Sequence, residues 1–249
     1  MDILTSTNGY NLKTNTLIFN SIAYFIALTI NILAGEGIIN SEWGDFTKPI
    51  LIPILINGFI YQTKNTKNRF FYYTIAGLIL SWFGDILLMY VETDSGFFIA
   101  GLISFLLAHV AYILSFTNSI QNPLSFVEVP PKQLPLYAII LAYSAVFFYR
   151  ISPYLGDMFA PVLIYLLVIT TMGLTALRRY GFTIPISFYF TFLGAVFFMA
   201  SDSCLAYNKF VTPIPASSFW IMSTYGIAQF CIKMGAIHHL NQFQKSGVN

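Results

Sequence analysis

Two aspartates stand in surroundings that penalise a charge. Asp85 ends the run Gly77-Leu-Ile-Leu-Ser-Trp-Phe-Gly84-Asp85 and is followed by Ile-Leu-Leu88; Asp202 ends Gly194-Ala-Val-Phe-Phe-Met-Ala-Ser201-Asp202 and is followed by Ser-Cys-Leu205. Each has a glycine eight residues earlier, a small residue immediately before it and a leucine three residues after it. A carboxylate in hydrocarbon costs at least roughly 2.5–3.5 kcal/mol, so both side chains are expected to face a bundle interior or a wet cavity. Burial disfavours the anion, and two neighbouring carboxyls disfavour double ionisation. Such a pair therefore offers one protonated and one ionised member, an acid and a base at the same pH. Two plainer uses of the same residues are interhelical hydrogen bonding and, in a carrier, a proton relay.

Further polar residues fall near the aspartates when helical spacing is followed. Gly77, Ser81 and Asp85 recur at i, i+4 and i+8, one stripe that permits close helix approach and gives the carboxyl a polar neighbour. Tyr225, Gln229 and Lys233 form a second stripe of the same period; Tyr225 is expected to reach the Asp layer, and Lys233 to snorkel toward the inner surface. Asn31 falls close to the outer end of the first apolar segment. Lys48 directly precedes Pro49 at the expected start of the second. Proline at a first helical position leaves free backbone N–H groups beside an ammonium, a place suited to a phosphate or carboxylate, although lysine there also serves as an interface anchor. His109 and Tyr112 share a face of the fourth segment, with His109 roughly 10 Å deeper than Asp85, which argues against direct contact between those two. His238 and His239 belong to the inner interface. The sequence has no Gly-x-Ser-x-Gly elbow, P-loop or dinucleotide glycine motif, and its histidines and acids lack the spacing of a zinc site.

The elements that must carry these residues follow from composition. Hydrophobic types make up 57% of the 249 residues and charged types 9%, too little charge to clothe a water-soluble domain and too much apolar surface for a disordered chain. An integral membrane protein is implied. Charge is nearly balanced, with 12 Lys+Arg against 10 Asp+Glu, which leaves no footprint for nucleic acid. The two cysteines, Cys204 and Cys231, lie in apolar stretches and offer neither a disulfide framework nor a paired-cysteine metal site.

Eight apolar segments suit membrane helices: 17–33, 49–61, 70–90, 97–116, 134–148, 159–177, 184–207 and 219–240. The second is short and the fifth marginal, so seven is the rival count. None shows the alternation of a lipid-exposed barrel strand. The reading is an all-α polytopic bundle in one domain, 1–249, with its core at about 17–240. Residues 1–16 lack the basic start of a cleaved signal, so the first segment is expected to be retained. Four helices separate the two Gly-to-Asp motifs, which would place them in the same direction as a 4+4 parallel repeat with both acids in one layer. Eight spans put Lys13, Lys64, Lys67, Arg69, Lys132, Arg178, Arg179 and Lys245 on one side and Lys48, Arg150 and Lys209 on the other, so both termini are expected in the cytoplasm, of a bacterial inner membrane or an ER-type membrane. The longest loop, 117–133, holds Pro123, Pro130 and Pro131 and reads as a stiff connection between halves.

Taken together, Gly84-Asp85-x-x-Leu88, Phe98-x-x-Gly101-x-x-x-Phe105-x-x-x-His109-x-x-Tyr112, Gly194-Ala-x-x-Phe198-x-x-Ser201-Asp202 and Tyr225-x-x-x-Gln229 closely resemble the YhhN-like lysoplasmalogenase family, and Lys48-Pro49 looks like that family's early Lys-Pro. The resemblance spans about residues 45–235. It implies a polytopic hydrolase that cleaves the vinyl ether bond of lysoplasmalogens, releasing a fatty aldehyde and a glycerophospho-ethanolamine or -choline, with Asp85 and Asp202 matching the two proposed catalytic acids. Its partners would be a lysophospholipid substrate and the surrounding membrane lipid. The chemistry suits a carboxyl pair: protonation of the alkene carbon gives an oxocarbenium-like ion, water adds, and the hemiacetal collapses to aldehyde and alcohol. Tyr225, Gln229 and Ser201 could orient water or the glycerol hydroxyl and Lys48 could hold the phosphate, with Asn31, Ser81, His109 and Tyr112 completing the expected substrate site. No metal or organic cofactor is required. The alternative function is a proton-coupled carrier using Asp85 and Asp202 as its relay.

Overall fold

The structure, a computed structural model, describes residues 2–64, 66–120 and 133–246, with side chains described for 14–64, 66–120 and 133–242. The proline-bearing part of the expected loop lies outside the described residues, as do the side chains of Lys13 and Lys245. The chain forms eight long helices, α1 (Asp2–Gly35), α2 (Glu42–Thr63), α3 (Arg69–Met89), α4 (Gly96–Asn118), α5 (Leu134–Ile151), α6 (Phe159–Arg178), α7 (Pro185–Phe210) and α8 (Ser217–Ser246), and there is no strand among the described residues. Two short 3-10 turns, Ser152–Tyr154 and Gly156–Met158, connect α5 to α6. Each of the eight apolar segments lies on a helix of its own. Six helices, α1 and α3 to α7, contain segments long and apolar enough to cross a membrane. The other two, α2 and α8, carry Lys48 and Lys233 within them. The architecture is a polytopic all-α membrane bundle.

Local chemistry sets several helix limits. The Asn68 side chain accepts from Phe71 N at 3.0 Å and caps α3. Pro185 opens α7 at a position where no backbone donor is lost. The turn after α1 uses Gly37 at φ +69°, a conformation that side-chain-bearing residues rarely adopt. Asn40 then accepts from Glu42 N at 3.0 Å, and α2 begins there with Glu42 and Asp45 in its first turn.

That start corrects one expectation. Pro49 is not the first residue of α2 but lies inside it, as does Pro53. Residues 42–48 are helical because the Asn40 cap and the first-turn acids stabilise an earlier beginning. Lys48-Pro49 therefore has no free helix N-terminus beside it. The Pro49 carbonyl accepts from Trp82 Nε1 at 2.7 Å, which fixes α2 against α3.

The two Gly-to-Asp segments lie on α3 and α7, and both glycines permit close packing with the following helix. A Cβ at Gly77 would meet the Tyr112 ring at 2.5 Å, and one at Gly84 would meet the Phe105 ring at 2.6 Å. On α7, a Cβ at Gly194 would meet Ala228 O and Ile232 N of α8 at 2.9 Å. These contacts let aromatic rings of α4 lie flush on α3, and bring α7 onto α8 with almost no side-chain layer between the backbones. By contrast α5 buries little, chiefly Ile140, Ser144 and Ile151, and presents most of its length outward.

Two basic residues, Lys233 expected to snorkel and Arg179 counted among the charges of one side, are enclosed instead. Lys233 has no exposed surface, and its Nζ lies 4.8 Å from the centroid of the Phe230 ring. Arg179 is also fully buried: Nε donates to Ser119 Oγ at 2.8 Å, Nη2 to Ser187 Oγ at 2.8 Å, and Nη1 to Thr191 Oγ1, with the Phe70 and Phe116 rings flanking the guanidinium. Ser187 Oγ donates in turn to Gly235 O at 2.8 Å, so Arg179 ties α4, α6, α7 and α8 together. Five donors in a fixed fork can satisfy three hydroxyls at once, which makes it a clamp between helices rather than a surface charge.

Candidate active site

Asp85 is four residues from the end of α3, about 6 Å in, and Asp202 eight from the end of α7, about 12 Å in. The charge of Asp85 reaches Asp202. The two carboxyls have different neighbours, and those neighbours define two halves of one candidate site.

Asp85 is almost wholly buried, and its Oδ2 accepts from Tyr225 Oη of α8 at 2.6 Å. Lys48, half-buried on α2, acts on it as the nearby positive charge. One turn from Tyr225, Gln229 Oε1 accepts from Tyr112 Oη of α4 at 2.7 Å. The Tyr112 hydroxyl also faces Ser81, one turn before Asp85 on α3. Tyr24 of α1 closes this half; its hydroxyl donates to Gly226 O at 3.0 Å and feels the charge of Asp85. Helical spacing thus predicted the members of both stripes, and the structure brings Ser81, Asp85, Tyr112, Tyr225, Gln229 and Lys48 together.

Asp202 belongs to the other half. Its Oδ2 accepts from Tyr165 Oη of α6 at 2.5 Å, and His109 Nε2 of α4 lies 3.7 Å from the same oxygen. The His109 ring is fully buried and is wedged between Phe198 at 4.6 Å and Tyr165 at 5.3 Å, measured between ring centroids. His109 therefore serves Asp202, not Asp85, in keeping with the depth that set it apart from Asp85. Asp202 keeps 15% side-chain exposure because it borders an apolar cavity between α4, α5, α6 and α7. Phe98, Phe105, Phe147, Val162 and Leu166 supply part of that cavity's wall, with the Tyr143 hydroxyl donating to Ser203 Oγ at 2.7 Å across it.

Two expected site residues are used otherwise. Asn31 Nδ2 donates to Gly44 O and Thr47 Oγ1, both at 3.3 Å, and joins α1 to α2. Ser201 Oγ donates to Ile221 O at 3.0 Å and joins α7 to α8 beside the acid rather than facing it. Conversely, Tyr165, Tyr24 and Phe198 were not anticipated. Phe198 is fully buried at the junction, with ring contacts to His109, Tyr225, Tyr112 and Phe105. Its place in the Gly194-to-Asp202 motif was the signal available for it; Tyr165 had none.

An acid pair, each member held by a tyrosine, one facing an apolar slot and the other a polar interior, can donate a proton to an apolar substrate and take one from water. The YhhN family model matches residues 43–236, which include both acids and all of their partners except Tyr24. The chain belongs to the YhhN family. Among curated proteins, lysoplasmalogenase TMEM86A of Homo sapiens is 30% identical over 166 residues, covering 65% of this chain and 64% of the relative. Lysoplasmalogenase TMEM86B of Sus scrofa is 29% identical over 159 residues, covering 64% and 61%, and lysoplasmalogenase TMEM86B of Homo sapiens is 30% identical over 165 residues, covering 65% and 62%. The matched region thus spans under two thirds of these relatives. No solved structure matches this YhhN chain.

Proposed function

We propose that this YhhN protein is a membrane hydrolase that cleaves the vinyl ether bond of 1-alkenyl lysophospholipids, releasing a fatty aldehyde and a glycerophospho-alcohol. The observation that carries the reading is Asp202 at the edge of an apolar cavity, with a second carboxyl, Asp85, across a shared aromatic ring: Phe198 meets His109 beside Asp202 and Tyr225, which holds Asp85. The names of its relatives support the substrate class. A vinyl ether is opened by protonating carbon, which needs a positioned acid and a site that shields the resulting cation from random attack. Two carboxyls supply the proton and the counter-charge, as they do around glycosyl oxocarbenium ions. Lys48, beside Asp85 and half-buried, is placed to receive the lysolipid phosphate, while the alkenyl chain lies along the wall formed by Phe98, Phe105 and Phe147. We also infer that both termini lie in the cytoplasm, from the excess of Lys and Arg in the loops of one side.

The test is mass spectrometry of lipids incubated with the purified protein. Aldehyde and glycerophospho-alcohol are expected from 1-alkenyl lysophosphoethanolamine or lysophosphocholine, with saturated ether and ester analogues left whole. Cleavage of the ester alone, or translocation of an unchanged lipid driven by a proton gradient, would defeat the reading.

A further inference from the structure

The two acids occupy chemically different compartments, and hydrolysis needs both a dry and a wet one. Asp202 borders the apolar cavity, which a bound alkenyl chain would fill and so close to water. Asp85 takes no part in that cavity's lining. It lies instead at the end of the α8 stripe Tyr225, Gln229 and Lys233, all three buried. Along that stripe Gln229 Nε2 and Lys233 Nζ have no hydrogen-bond partner among the described residues. An amide nitrogen and an ammonium with no exposed surface are costly unless hydrated, and a buried water is stable where two to four polar groups converge. Gln229, Lys233, Tyr112 and Ser81 provide such a polar lane, ending at Asp85. The partition from the cavity is one side chain thick: Phe105 lines the cavity on one side and meets the Tyr225 ring on the other, with centroids 5.8 Å apart.

We propose that the acids divide the reaction, Asp202 protonating the alkenyl carbon from the lipid side and Asp85 activating a water drawn along the Lys233–Gln229 stripe. This rests on the vinyl ether reading above. The Asp202 carboxyl proton goes to the alkenyl carbon remote from oxygen; the π electrons form the new C–H bond, and the ether oxygen shares the charge left on the adjacent carbon. Water attacks that carbon as the Asp85 carboxylate takes one of its protons. In the collapse of the hemiacetal the C–O bond to glycerol breaks, the glycerol oxygen receives the proton held by Asp85, and the hemiacetal hydroxyl proton goes to Asp202. One water is consumed and both side chains return to their starting states.

Deuterated water separates the two steps. With water activation blocked, the cation can only return its proton to Asp202, so unreacted substrate should gain deuterium at the alkenyl carbon. Asp85→Asn is expected to lose aldehyde formation by about 100-fold or more while recovered 1-alkenyl lysophosphoethanolamine becomes deuterated. Asp202→Asn should lose both signals. Tyr225→Phe, which keeps the ring and removes the hydroxyl from Asp85, and Lys233→Met should move in the direction of Asp85→Asn, and they carry the test if either Asn variant does not fold. Deuterated substrate from Asp202→Asn but not from Asp85→Asn reverses the assignment. Exchange in none of the folded variants, each slow in hydrolysis, overturns the division while leaving the hydrolase reading intact; a wild-type protein that makes no aldehyde defeats the hydrolase reading itself and the division with it.

Discussion

Tyr165→Phe isolates the direct hydrogen-bond partner of Asp202, which spacing along the chain did not reveal. The change removes a hydroxyl that donates to Asp202 Oδ2 at 2.5 Å and keeps the ring packed edge-on against His109. A hydrogen bond to a chargeable partner contributes about 1.5–3 kcal/mol. When Asp202 gives its proton to substrate it becomes an anion, and the Tyr165 hydroxyl then stabilises it, so most of that energy should appear in the transition state. At about 1.4 kcal/mol per decade the expected loss in kcat is roughly 10- to 150-fold. The assay is the initial rate of aldehyde release from 1-alkenyl lysophosphoethanolamine by purified protein in detergent, with kcat and KM measured separately. KM should hold nearly constant, because the alkenyl chain meets the ring rather than the hydroxyl. Tyr143→Phe is the control. Its hydroxyl lines the same cavity but donates to Ser203, and it should stay within about threefold of wild type because a neutral hydrogen bond at an exposed residue adds little. In an Asp202→Asn background Tyr165→Phe should cost little more, since both act on one step. A folded Tyr165→Phe enzyme within twofold of wild type refutes this use of the hydroxyl.

Three further outcomes follow from the geometry. Lys48→Met should raise KM for lysophospholipid roughly tenfold with little change in kcat, and Lys48→Arg should recover much of the affinity; steady-state kinetics of the pair decide this, uniform binding being lost in one and kept in the other. Gly84→Ala places a Cβ 2.6 Å from a Phe105 ring held edge-on by Phe198 and Tyr225, and should destabilise the protein by about 1–3 kcal/mol, read as a lower thermal midpoint in detergent. Single cysteines introduced at Lys67 and Lys209, in a background lacking Cys204 and Cys231, should label from the cytoplasmic and outer faces respectively; labelling of Lys67 only from outside contradicts the inferred orientation.

The sequence made the acids conspicuous because a charge among apolar neighbours has a large and general cost, and helical period then collected Gly77, Ser81 and Asp85 on one helix and Tyr225, Gln229 and Lys233 on another. Contacts between helices were less visible. Spacing along α6 does not single out Tyr165 from the other fifteen tyrosines of the chain, and nothing in α4 alone says that His109 turns to α7 rather than α3. Lys233 reads as a snorkelling residue and Arg179 as one of the basic residues outside the helices, because long cationic chains usually reach water. Whether neighbouring helices close over them is decided by packing, and here hydroxyls from α4 and α7 and aromatic rings close over Arg179. The start of α2 was misplaced for a related reason: proline reads as a boundary, yet inside a bundle a neighbour such as Trp82 can bond to the adjoining backbone and keep the helix continuous.

The most direct test of carbon protonation by a carboxyl pair is the isotopic composition of the aldehyde. Wild-type protein turning over a 1-alkenyl lysophospholipid in deuterated water should place one solvent deuterium on the carbon next to the aldehyde carbon in every product molecule, with synthetic aldehyde carried through the same incubation to measure background exchange. Aldehyde formed without that deuterium, when the control shows exchange to be negligible, contradicts the account.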